Sequence, residues 1–284
     1  MGIVEPPSHR TDGPLYGGAA FVSLLAVLGP VAIALGTAFA SGEIRGIAVL
    51  PVVAGALLLD LGANLAPGYL YLRSEAARRA TFSRSHHPLA RLWAARGAFL
   101  VVIALAAYLV AITGAGLLLL IAGAGFTGVL YRSPPEALRL RGRLWGLAFL
   151  LMGPGLAFGS FYALTGTVAL LPAIAAVPSG LVTAAALGVR RAVDRADAPG
   201  LILDGRVRLF AGALVVASLP LLALLVTLGA LPRGCLAGVL AAPWTAMLLF
   251  DLGRGTQAAG SIRTRTFALS LGLAILVAAG AVIG

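Results

Sequence analysis

Residues 97–131 read GAFLVVIALAAYLVAITGAGLLLLIAGAGFTGVLY, without an acid, a base or a histidine. Apolar and polar residues do not alternate along this run, which excludes a half-buried strand and selects helix. One crossing of a bilayer takes roughly 20 residues, so the run is long enough for two. The Thr113–Gly116 break divides it into spans near Gly97–Ile112 and Gly114–Tyr131. Lipid offers no partner to an exposed peptide group, and a helix satisfies its own.

Similar runs lie on both sides. They fall near Tyr16–Ala40, Gly46–Leu72, Leu144–Leu164, Thr167–Val189, Val207–Leu228, Leu231–Leu252 and Phe267–Ile283, with a break at Thr165–Thr167. The sequence therefore predicts an all-α, polytopic bundle of about nine transmembrane helices. Residues 1–15 are polar and Pro-rich and read as a short disordered cytoplasmic lead with no removable signal peptide. Residues 16–284 read as a single transmembrane domain. The composition agrees. Hydrophobic residues make up 60% of the 284, charged residues 11%, and the mean hydropathy is +1.00. A soluble domain carries roughly 25% charged residues.

The net charge is +11, and every basic residue is an arginine. With nine spans and the N-terminus inside, all but Arg45 and Arg233 of the 21 arginines fall in inner segments. Such asymmetry orients a chain with its arginines in the cytoplasm, in the cell (inner) membrane. Because the charge lies between spans, it points to topology, anionic lipid or an anionic substrate, and not to nucleic acid. The single cysteine, Cys235, excludes an intrachain disulfide and a thiolate cluster, and it reads as packing.

Ionisable groups inside a membrane are functional candidates by default. Asp60 lies within the second span, followed by Asn64, Gly68, Tyr71 and Glu75 at helical spacings of three and four. This stripe runs into Arg73, Arg78, Arg79 and Arg84. A polar stripe ending in a cationic mouth suits an amphiphile with an anionic head. Hydrogen bonding of Asp60 and Asn64 to neighbouring helices explains the same residues. Pro67–Gly68 interrupts the helix and frees a carbonyl, either at a cavity or at a plain helix end. The second long basic loop, Gly188–Gly200, holds Arg190, Arg191, Asp194, Arg195 and Asp197. Two carboxylates and several guanidinium forks could hold Mg²⁺ and a diphosphate. A solvated loop whose acids pair with its own arginines is the plainer reading. The adjacent His86 and His87 read as a solvated loop.

The stretch Gly128–Gly142 (GVLYRSPPEALRLRG), the block Phe149–Gly166 (FLLMGPGLAFGSFYALTG) and the run Leu61–Ala66 (LGANLA) resemble the UbiA superfamily of membrane prenyltransferases, closest to its 1,4-dihydroxy-2-naphthoate branch. The Gly153–Gly166 block is the most specific of the three. The resemblance implies a helical bundle whose cavity opens to the cytoplasm and sideways to lipid. It implies transfer of an isoprenyl group from a prenyl diphosphate to an aromatic or other lipophilic acceptor, with Mg²⁺ as cofactor. On that basis Asn64, Tyr71, Asp194 and Asp197 are the expected catalytic residues, and Glu75, Asp194 and Asp197 the metal ligands. Arg73, Arg78, Arg79, Arg84, Arg190 and Arg191 would bind diphosphate, and Asp60, Tyr69 and Tyr131 would line the prenyl and acceptor cavity. An aromatic face there would stabilise an allylic cation.

The family's two aspartate motifs are degraded here. After Asn64 the first falls on Pro67, Gly68, Tyr71 and Glu75, of which Glu75 alone is acidic. The second falls near Ala192–Asp197 with at most one aspartate in register. Three functions follow as alternatives: a divergent prenyltransferase, a non-catalytic homologue that binds a polyprenyl lipid or scaffolds a complex, and a flippase for an anionic lipid. Short outer turns and the lack of paired broken helices count against the last.

Overall fold

The computed structural model describes residues 15–65, 88–123, 146, 149–196, 203–254 and 259–284. Among them the chain is helical throughout, with no strand. Helix α1 spans Leu15–Ser41, α2 Gly46–Leu65 and α3 Pro88–Thr113; α4 is described over 116–123. A π-helical turn, Leu151–Gly155, leads into α5, Leu156–Thr165. Then come α6 (Leu171–Ala175), α7 (Val177–Ala196) and α8 (Gly205–Thr227). A 3₁₀ segment, Arg233–Ala241, runs into α9 (Ala242–Arg254), and α10 spans Ala259–Ile283. Four helical stretches are each long and apolar enough to cross a membrane: Trp93–Thr113, Gly205–Thr227, Arg233–Arg254 and Ser261–Ile283. Shorter apolar helices cover Ala26–Ser41, Gly46–Gly62 and Val177–Val189. The count of nine spans stays an expectation of the sequence.

Side-chain size is distributed as lipid solvent demands. The interior is built largely from small residues, including Ala34, Ala38, Ala157, Ala185, Ala186 and Ala274. Leu50, Leu119, Leu209 and Trp244 face outward. Between membrane helices, small residues let backbones approach, and large apolar ones lose nothing by facing lipid tails. One core joins α1 to α2, α3, α4 and α5 around Val31, Val52, Leu109 and Phe161. A second joins α7 to α10 around Val182, Val215, Leu222 and Leu273. The first and last helices pack side by side and connect the two. There Gly36 meets the backbone of Ala278, and Gly29 meets Ala274.

Two local departures from α-helix have physical causes. Pro154 has no N–H to offer Leu150, four residues back. The π turn shifts the pattern by one, so that the Leu156 N–H reaches the Leu151 carbonyl. The turn coincides with a tight crossing against Gly180, where Gly153 has no room for a Cβ. The 3₁₀ segment likewise brings Gly234 against Gly280, and Gly238 against Leu222, Leu273 and Val277. Cys235 is buried beside the Val277 carbonyl, so it is packing, as the sequence suggests.

Several boundaries differ from expectation. The second basic loop is not a loop up to residue 196: α7 continues through Ala196 and carries Arg190, Arg191 and Asp194. Alanine and arginine are strong helix formers, and the first breaker is Pro199. For the same reason Arg91 and Arg96 lie on α3, and Arg263 and Arg265 on α10. Of the expected lead over residues 1–15, Leu15 already belongs to α1, and residues 1–14 lie outside the described residues.

Candidate functional site

The helices run back and forth, so the bundle has two ends of opposite character. At one end four tight turns place glycine in the left-handed region: Gly42 (φ 72°), Gly114 (φ 112°), Gly166 (φ 77°) and Gly229 (φ 73°). Glycine alone adopts that conformation freely, which keeps these connections short. Three of the turns are bonded together. The Arg45 N–H donates to the Leu164 carbonyl (2.9 Å), and its guanidinium donates to the Ile112 carbonyl (2.6 Å). The Thr113 hydroxyl donates to the Ala163 carbonyl (3.2 Å), and the Thr167 hydroxyl to the Glu43 carboxylate (2.7 Å). Arg45 thus lies at the C-termini of α3 and α5, where the helix dipoles are negative and carbonyls lack partners. This gives Arg45 a structural role. Arg45→Ala should cost about 2 kcal/mol, the scale of a charged hydrogen bond lost from a part-buried site. Thermal unfolding in detergent should show a lower Tm for it and an unchanged Tm for exposed Arg233→Ala. Equal Tm values would mean that Arg45 secures nothing.

The opposite end carries the arginines. Buried Asp251 of α9 is paired with Arg265 of α10. Arg208 of α8 donates to the Leu252 carbonyl (3.5 Å), and among the described residues its enclosed Nε has no partner. Arg254 lies over the Phe250 ring at 4.1 Å, and Arg96 over Trp93 at 5.2 Å. Three helices are thereby tied at one depth by arginines, with Arg206 and Arg254 exposed further out. The sequence reading counted these arginines but missed Asp251. A carboxylate in the last turn of an apolar segment, with Arg265 beyond the next connection, was the available signal.

Of the expected site residues, the structure describes the backbone of Asp60, Asn64, Arg190, Arg191 and Asp194. Asp60 is part-buried in α2 and is not unpaired. Asn64 lies in the last turn of α2, and Arg190, Arg191 and Asp194 in the last turns of α7, so both helices finish at the same end. In helical register Asp194 stands four positions after Arg190 and three after Arg191. Tyr69, Tyr71, Arg73, Glu75, Arg78, Arg79, Arg84, Tyr131, Asp197, His86 and His87 lie outside the described residues. Among the described residues no three His, Cys, Asp or Glu side chains gather to hold a metal. Of the described acids, Glu43 belongs to the turn end, and Asp251 is taken by Arg265.

No protein-family model and no curated protein matches the sequence. The fold does match a solved structure, that of a digeranylgeranylglyceryl phosphate synthase in membranes. The TM-score is 0.55 and the identity 12%, over 95% of this chain and 98% of that one. The two chains share a fold nearly from end to end. This chain is an all-helical, multi-pass membrane protein with the fold of that synthase.

Proposed function

We propose that the chain is a UbiA-type prenyltransferase, moving an isoprenyl group from a prenyl diphosphate to an aromatic or other lipophilic acceptor at the cytoplasmic face of the cell membrane. The observation that carries this reading is the end-to-end likeness to a membrane prenyltransferase. The concentration of arginine at one end supports it. In the transfer, the bond between prenyl C1 and the bridging oxygen breaks, and its electron pair leaves with diphosphate. The acceptor bonds to C1 and gives up a proton to solvent or to a nearby base.

Arg73, Arg78, Arg79, Arg84, Arg190 and Arg191 hold the diphosphate and stabilise its developing charge. Asn64 and Tyr71 would act on the reacting centre. Asp60, Tyr69 and Tyr131 line the cavity for the prenyl chain and acceptor. Glu75, Asp194 and Asp197 would hold Mg²⁺, which supplies further charge neutralisation when bound. The motif resemblance to the dihydroxynaphthoate branch favours an aromatic acceptor.

A second reading is a non-catalytic homologue that binds a polyprenyl lipid. Pro67, Gly68 and Tyr71, standing where the family's first acidic motif falls, favour it. Diphosphate release from prenyl diphosphates, followed in detergent with Mg²⁺ or with a chelator, separates the two. The transferase reading expects Mg²⁺-dependent release that Asp194→Ala/Asp197→Ala abolishes. Tight binding with no release from any acceptor mixture supports the second reading instead.

A further inference from the structure

We propose that the seam between α8 and α9 at the arginine end is a binding surface for an anionic phospholipid. Arg206 and Arg254 take the headgroup phosphate, and the acyl chains lie on Leu209, Phe210, Met247 and Phe250. The seam itself is closed: Gly212 faces Leu249, and Arg208 donates to the Leu252 carbonyl. On α8 the exposed residues Arg206, Leu209 and Phe210 follow at steps of three and four. On α9 exposed Met247, Phe250 and Arg254 do the same. Each helix thus presents an apolar stripe to lipid with an arginine at its membrane-surface end. In helical register each stripe lies off the seam-facing positions Gly212 and Leu249, on the lipid-facing side of its helix.

Among the described residues, Arg206 and Arg254 outnumber the exposed carboxylates at this end, where Asp204 stands alone. Asp251 is buried and committed to Arg265, so it does not offset the exposed pair. Asp204, exposed before α8, makes no side-chain cap bond and leaves the first N–H groups of that helix free of its carboxylate. The α8 N-terminus contributes positive potential here, and Arg254 offsets the negative end of the α9 dipole. Arg254 is held over Phe250 at 4.1 Å, which fixes its guanidinium at the boundary between the apolar stripe and the headgroup layer. A flat stacked fork with free donors suits a phosphodiester better than a mobile point charge does. The inference rests on the membrane reading of the fold and not on prenyl transfer.

The test uses the full chain, purified in detergent and stripped of lipid, with binding read by native mass spectrometry. Dioleoylphosphatidylglycerol and dioleoylphosphatidylcholine are offered separately, and then inorganic phosphate as competitor. The wild type should retain phosphatidylglycerol selectively. Arg206→Gln/Arg254→Gln should bind it about 30-fold more weakly, the effect of losing two basic residues at an anionic surface. Arg96→Gln, at the same end on α3, should bind as wild type. Equal retention of phosphatidylcholine, an unaffected double variant, or an equal loss in Arg96→Gln would overturn the proposal. Displacement by millimolar phosphate would overturn the lipid assignment in favour of a free-phosphate site.

Discussion

Gly36→Leu should leave little folded protein. A Cβ on residue 36 would stand 2.5 Å from the Ala278 carbonyl oxygen and 2.8 Å from its Cα. The obstruction is backbone, so no rotamer change relieves it and α1 must move away from α10. Inserting bulk into a well-packed core costs about 1–3 kcal/mol where side chains can give way. Here the first and last helices would separate, opening the contact that links the two cores. We expect a loss above about 3 kcal/mol, read as aggregation on size-exclusion chromatography in mild detergent. Gly36→Ala should fold with a lowered Tm, since even one methyl is too close. Gly159→Ala is the control, because a Cβ there meets nothing within 4 Å. A Gly36→Leu protein as stable as wild type would mean that α1 and α10 do not pack in this way.

The largest effect on activity should come from Arg190→Ala/Arg191→Ala. Both residues lie on the continuation of α7 beyond its buried stretch, in register with Asp194. A helix holds its side chains in place more firmly than a solvated loop does, which matters for stabilising charge as diphosphate departs. Removing one preorganised donor from such a site costs about 10²–10³ in rate, so the double variant should lose about a thousandfold or more in kcat/KM. Lysine at both positions should restore charge but not the planar fork, and recover part of the rate. Folding of each variant is checked by its Tm. An active double alanine variant would reduce these arginines to topological markers.

The class of fold was legible because a bilayer imposes a strong signal. Uncharged runs such as residues 97–131 admit one reading, and the break at Thr113–Gly116 is where Gly114 takes its left-handed turn. The arginine asymmetry separated the two ends that the hydrogen bonds of Arg45 and the Asp251–Arg265 pair define. Other features depend on partners far away in sequence. Nothing near Arg45 announces that Ile112 and Leu164 will need donors. The 3₁₀ geometry of Arg233–Ala241 follows from the approach of Gly234 to Gly280, which local propensity does not encode. The continuation of α7 was hidden for another reason. Hydropathy falls at Arg190, so the apolar run ends there, whereas the helix persists until its residues stop favouring it. For the site, the sequence supplied residue types and their order along α2 and α7. The mutual geometry of Asn64, Glu75 and Asp197 is not encoded in spacing alone.

The most direct test of the central claim is a mass balance on the purified wild-type protein. It would be incubated with Mg²⁺, a tritiated prenyl diphosphate and a lipid extract containing quinone precursors and other acceptors. Tritium should enter a new lipid in amounts equal to the diphosphate released. If the prenyl diphosphate is neither bound nor consumed, at any chain length, the chain keeps the UbiA-like fold without the transferase function.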